Sequence, residues 1–237
     1  MWTTTSPSEP VRRWRRLVIA VAGLAATALP AQSIDRVHPL DPVDGAIVGA
    51  RPVFRLAYDV SGEDDPREMR FRITLAPADP DGDPHEFDQK RRGRGWMFGD
   101  EGTVLYRPRK PLSDGLYRFE AWAWNGVEWI GGDRSHEIRI DTVPPADVDG
   151  VRVRVDPERN EVTIDWDPVS LDREGRPEYV ARYHVYRYER RGIFRGFRTA
   201  EIGVVVGPRF VDREPPEAKA TYYKVTAEDE AGNKADR

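Results

Sequence analysis

Three tryptophans crowd one short stretch of the chain: Trp122, Trp124 and Trp129. Tyr117, Phe119, Ala121 and Ala123 alternate with the first two, so if those four face a core, Trp122 and Trp124 point outward. Asn125-Gly126 predicts a two-residue type I′ turn, which needs positive φ at both centres. That turn sets Trp122 opposite Trp129 on the same outer face. Flat indole rings arrayed on a sheet stack against sugar faces or anchor a protein partner. Trp96 joins them as a ligand-binding candidate, within a Pro-, Gly-, Asp- and Arg-rich stretch over 76–102 that reads as a long loop. The competing reading is that this loop, with Trp96, Met97 and Phe98, folds over the other tryptophans and buries them.

A second candidate surface interleaves arginine with aromatic rings: Tyr186, Arg190, Arg191, Arg195 and Arg198, in a hairpin turning near Gly192. Guanidinium groups pair with phosphate or carboxylate while rings stack. Against this stands the solvated edge strand, where arginine only blocks aggregation. If the neighbouring strands pair, His184, Tyr186, Tyr222 and Lys224 share one outer face. Asp79, Asp81 and Asp83 around Gly82 have calcium-loop spacing but lack a well-placed bidentate Glu, so a polar turn is expected. His85-Glu86 and His136-Glu137 open like a zinc-protease motif, but Gln89 and Ile140 stand where the second His belongs. No nucleophile elbow, phosphate loop or dinucleotide fingerprint occurs. The expectation is a non-catalytic protein with no metal and no cofactor.

The elements that position these residues are short alternating runs. Upstream, strands are predicted over 53–58, 70–75, 103–107, 116–124 and 127–140. Downstream they are predicted over 151–155, 162–166, 180–188, 193–202, 210–211 and 221–229, separated by Gly, Pro and Asp clusters. The downstream set carries Trp166 on its second strand, Tyr183-His-Val185 on its third and Tyr223-Lys-Val-Thr-Ala227 on its sixth. Those residues resemble a fibronectin type III domain, which implies that Tyr223 is a tyrosine corner. Asp114-Gly-Leu-Tyr117 resembles the sixth strand of a bacterial immunoglobulin-like domain. Ile140-Asp-Thr-Val-Pro-Pro145 resembles the join between such modules. The fold class expected is all-β: two tandem immunoglobulin-like/fibronectin type III-like β-sandwiches, over 32–142 and 143–237. The second lacks its last strand, because the sequence stops four residues after Asn233. A fragment or shortened reading frame, a six-stranded sandwich, and a strand donated by a partner each account for that.

The first 31 residues read as a cleavable signal peptide: Arg12, Arg13, Arg15 and Arg16 precede an apolar run over 17–29 and small residues to Ala31. The run is short of the roughly 20 residues a spanning helix needs, so no stable membrane insertion is expected after processing. Arg15-Arg16 keeps twin-arginine export open beside ordinary secretion. Processing leaves 33 of the 37 basic and 40 of the 41 acidic residues, a net charge of about −7. That balance argues against nucleic acid as a partner. There is no cysteine, which excludes disulfides, a lipid-modified Cys anchor and a thiol nucleophile. The function expected is an exported, non-catalytic binding or spacer module of the cell envelope, periplasm, cell surface or exterior. Its partner would be an extracellular polysaccharide or envelope protein held on the aromatic sheet face. The alternative is a structural protein assembling by strand addition at an open edge of the second sandwich.

Overall fold

The computed structural model describes residues 33–61, 69–89, 95–100, 102–190, 197–216 and 221–235. The proposed signal peptide and the predicted turn near Gly192 lie outside them. Among the described residues the regular structure is all strand, and no helix is long and apolar enough to cross a membrane.

The alternation in the sequence sets the layers. In β4 (Arg70–Pro77), Phe71, Ile73 and Leu75 are fully buried, while Arg70, Arg72 and Thr74 face the other way. β8 (Gly115–Trp124) does the same with Phe119, Ala121 and Ala123. These two pair antiparallel inside a five-stranded sheet of order β2-β9-β8-β4-β5, with β2 (Ile47–Val48), β5 (His85–Asp88) and β9 (Trp129–Ile140). The facing sheet has the order β1-β3-β7-β6: β1 (Ser33–Asp41), β3 (Phe54–Ser61), β7 (Thr103–Tyr106) and β6 (Trp96–Phe98). Phe54 and Phe119 meet edge to face at 4.9 Å across the gap between the layers.

The second sandwich is thinner. One sheet is β10 (Arg152–Asp156), β11 (Glu161–Asp165) and β14 (Arg209–Asp212). The other, ordered β13-β12-β15, has β12 (Val180–Arg190) at its centre between β13 (Phe197–Val205) and β15 (Thr221–Asp229). Its core gathers on Ile164, Trp166, Tyr183, Val185, Val225 and Ala227, with Trp166 edge-on to Tyr183 at 5.3 Å. The linker between the sandwiches is tied down from both sides. Asp114 accepts from the Thr142 N–H at 2.9 Å, and the Asn233 amide donates to the Asp141 carbonyl at 3.0 Å.

Three expectations are corrected. The stretch over 76–102 is not one long loop: β5 joins β4 in one sheet and β6 joins β7 in the other. Both strands are too short for alternation to declare them, and Phe87 and Trp96 pack against the core. β1, which carries Pro39 and is followed directly by Pro42, falls where no strand was predicted. The tyrosine corner is in the first sandwich, where the Tyr117 hydroxyl donates to the Ser113 carbonyl at 3.2 Å. Tyr223 donates instead to the Asp212 carboxylate at 2.9 Å.

Candidate binding face

The outer side of β4, β8 and β9 holds the tryptophans, with β9 paired to β8 two residues away from the expected register. The Asn125 side chain accepts from the N–H groups of Val127 and Glu128, and Gly126 takes a positive φ of 98°. The tip is therefore Gly126-Val127, and Trp124, rather than Trp122, pairs with Trp129. Those two rings stand edge to face at 5.7 Å. Trp122 pairs with Gly131, where a Cβ would lie 2.9 Å from Cζ3 of its indole. The missing side chain is what lets that ring lie across the neighbouring strand. The Trp122 indole N–H donates to the Thr74 hydroxyl at 3.1 Å, which donates to Glu120 at 3.3 Å.

β4 adds what the sequence reading missed: arginines interleaved with the rings. The Arg72 guanidinium sits 4.2 Å from the Trp129 ring centroid, and Arg70 lies 5.4 Å from Trp129 and 5.9 Å from Trp124. Such contacts stabilise by about 0.5–1 kcal/mol where exposed and more when desolvated. Arg72 is also gripped by Asp88 through two bonds, at 2.6 and 3.2 Å. Arg70 is exposed, and no carboxylate pairs with it among the described residues. The indoles are half-buried, and the β4 arginines lie against Trp124 and Trp129. Trp96 belongs to the opposite sheet, 4.7 Å from Tyr106, so it is no part of this face.

The second predicted surface divides. Tyr186 is only 7% exposed and is not available to a ligand. Arg198 is exposed on β13, the Arg190 side chain is undescribed, and Arg191 and Arg195 lie outside the described residues. His184, Tyr186, Tyr222 and Lys224 do share one face, but His184 is buried in a charge cluster rather than solvated. Its Nε2 lies 2.6 Å from Glu228 and its Nδ1 3.1 Å from Glu201, so the ring donates to both only when it carries its second proton. Lys234 and Arg182 complete the cluster at 3.0 and 3.3 Å from Glu228. Burial works against ionisation of Glu228, but hydrogen bonds from Lys234 and His184 outweigh it and hold the carboxyl below its usual range.

Asp79 closes its own turn, accepting from the Asp81 N–H at 3.0 Å. An acidic cluster that spacing did not announce lies where the sandwiches meet. Asp141, Glu178 and Asp229 bring carboxylate oxygens within 4.8 Å of one another beside a cleft of about 610 Å³. Such oxygens are the donor type a hard cation takes. Each already accepts a backbone N–H: Asp141 from Val143 at 3.0 Å, Glu178 from Tyr179 at 2.7 Å, Asp229 from Asn233 at 2.8 Å. Burial, then repulsion from neighbours that include Asp141, pushes the Glu178 and Asp229 carboxyls above their ordinary values. A carboxyl raised on folding contributes stability below its unfolded pKa and loses it as pH rises through the folded one. Glu178→Gln is therefore expected to leave the melting temperature unchanged in acid and to raise it by roughly 1–3 °C at neutral pH. Thermal melts of variant and parent across pH read this difference, and a neutral-pH decrease would contradict it.

No family model matches the sequence, and no curated protein does. Among solved structures, the FN1–FN3 domains of chicken CNTN1 are 13% identical, with a TM-score of 0.49 over 81% of this chain and 62% of that one. This chain thus spans less than two thirds of that structure. The fibronectin(III)-like modules of Clostridium thermocellum CbhA are 12% identical at a TM-score of 0.44, over 84% of this chain and 89% of theirs. At that distance nothing about ligand, partner or location passes from those proteins to this chain.

Proposed function

We propose that this chain is an exported, non-catalytic binding module that takes an extended ligand, a polysaccharide or a segment of an envelope protein, across the outer face of β4, β8 and β9. The observation that carries this is the row of rings and guanidinium groups on one sheet face: Trp122, Trp124 and Trp129 with Arg70 and Arg72 among them. Indole edges and unspent Arg70 N–H donors side by side suit a ligand with apolar faces and oxygen acceptors, which a sugar ring provides. Export rests on the basic, apolar and small-residue order of residues 1–31.

Affinity electrophoresis through gels containing soluble neutral or acidic polysaccharides, and pull-down on insoluble cell-wall glycans, test this in low and high salt. Retardation by at least one glycan is expected to survive high salt, because stacking is not screened as charge pairs are. Trp124→Ala is expected to weaken it by about tenfold, the ratio that 1.4 kcal/mol of lost contact gives. Undiminished binding after that substitution, with the variant folded, would overturn the assignment.

A further inference from the structure

Granted that the outer face of β4, β8 and β9 is the binding face, on which this rests, we infer that its ligand is an acidic glycan. The Arg70 guanidinium binds the carboxylate of one uronic acid unit, and the indoles beside it take the sugar rings.

Pairing across the three strands arranges the side chains in rungs. Arg70 stands opposite Trp124, which stands opposite Trp129, so one rung consists of an arginine and two tryptophans. The next is Arg72, Trp122 and Gly131. Neighbouring strands lie about 4.8 Å apart, which makes each rung roughly 10 Å long. β8 separates β4 from β9, yet the Arg70 guanidinium is 5.4 Å from the Trp129 centroid and 5.9 Å from that of Trp124. Its side chain thus leans across the rung, and the charge sits among the rings.

The other outward arginines of β4 and β8 are already paired. Arg72 meets Asp88 at 2.6 Å and Glu86 at 3.3 Å, and Arg118 meets Glu120 at 3.2 Å. Arg70 is exposed, and among the described residues no carboxylate reaches it. Ring faces attract the cation but accept none of its in-plane N–H bonds. A planar carboxylate matches that fork with two parallel bonds, whereas a neutral hydroxyl leaves the charge unanswered. Contact with the rings restrains the guanidinium, so less side-chain freedom remains to be lost when the anion arrives. A uronic acid unit carries a carboxylate and an apolar face on one rigid ring, as a cation set among indoles requires. An acidic peptide carries its carboxylate on a flexible stem with no such face. The chain's net charge is negative, but at physiological salt exposed charges beyond about 8 Å are largely screened, so the anion meets Arg70 locally.

The test sets the full chain against polygalacturonate, alginate and hyaluronan, each beside its carboxyl-reduced form, which keeps the backbone and removes the charge. Titration calorimetry reads the dissociation constants. At least one acidic glycan is expected to bind about tenfold more tightly than its reduced form, and that ratio should shrink in high salt. Arg70→Gln is expected to bring the ratio to about one. Arg118→Gln removes the same charge from the same face, where Glu120 already answers it, and is expected to keep the ratio. Equal binding of acidic and reduced forms, or a preference that survives Arg70→Gln, would overturn the acidic ligand and leave the tryptophan face as a platform for neutral sugars. Failure of the parent to bind either form of any of the three would overturn both readings. Poly-L-glutamate or a sulfated galactan bound more tightly than all three acidic glycans would assign Arg70 to an acidic protein segment or a sulfate ester, and overturn the uronic acid.

Discussion

Replacing Arg187 by methionine is expected to cost the second sandwich about 3–5 kcal/mol, the toll of leaving a buried charge without its partner. Arg187 reaches from β12 to β14, where its Nη1 donates to Asp212 at 2.9 Å and to the Glu214 carbonyl at 2.8 Å, while Nε holds Glu189 at 2.8 Å. Asp212 is buried, and among the described residues the Arg187 guanidinium is the cation that pairs with it. Its other donors are neutral: the Tyr223 hydroxyl at 2.9 Å and the Glu214 N–H at 3.0 Å. Burial, and then the bond to Asp212, keeps the Tyr223 hydroxyl protonated far above the usual tyrosine range, so it remains a donor wherever the fold survives. Methionine preserves the apolar stem and removes only the charge and its bonds. Adding Asp212→Asn to Arg187→Met should recover part of the loss, because the orphaned carboxylate is then neutral. Denaturant titrations of the single and double variants check this, and a double variant less stable than the single would reject the charge-pair account.

The layers were legible in the sequence, and the contacts between them were not. Phe71, Ile73 and Leu75 alternate with Arg70, Arg72 and Thr74 strongly enough to declare both a strand and its buried side. The outward direction of Trp122 and Trp124 follows from the same rule. Their neighbours did not follow, because one side chain decides the hairpin: Asn125 accepts from two N–H groups and shifts the tip by one residue. Arg70 and Arg72 stack on the rings only because β4 lies beside β8, a pairing between residues about fifty positions apart that no local pattern records. The acidic cluster has the same cause, drawing Asp141 from the linker, Glu178 from a loop and Asp229 from the end of β15. Tyr186 was read as outward, and its direction is right. It is buried all the same, among charged groups from three strands that satisfy one another instead of facing water.

Trp166→Ala should produce the other large effect, about 3–5 kcal/mol for an indole lost from a closed core. The second sandwich has few residues to share that loss. Beside Trp166, the buried side chains of its core are Val162, Ile164, Tyr183, Val185, Val225 and Ala227, whereas the first sandwich buries three phenylalanines with a larger aliphatic set. Domain stabilities run to only about 5–15 kcal/mol, so one such cavity removes a large share of what holds this layer together. At roughly 4–8 °C per kcal/mol for a domain this size, its melting transition should fall by tens of degrees or vanish. Among the described residues the indole N–H has no hydrogen-bond partner, so Trp166→Phe gives up volume but no bond to them and should cost much less. Calorimetry of both variants separates the terms. The two cores are separate clusters, and the contacts across the linker are hydrogen bonds and charges rather than shared apolar packing. The transition of the first sandwich should therefore stay close to its parent value in Trp166→Ala. An equal fall in both transitions would mean that the tied linker makes one cooperative unit of two cores.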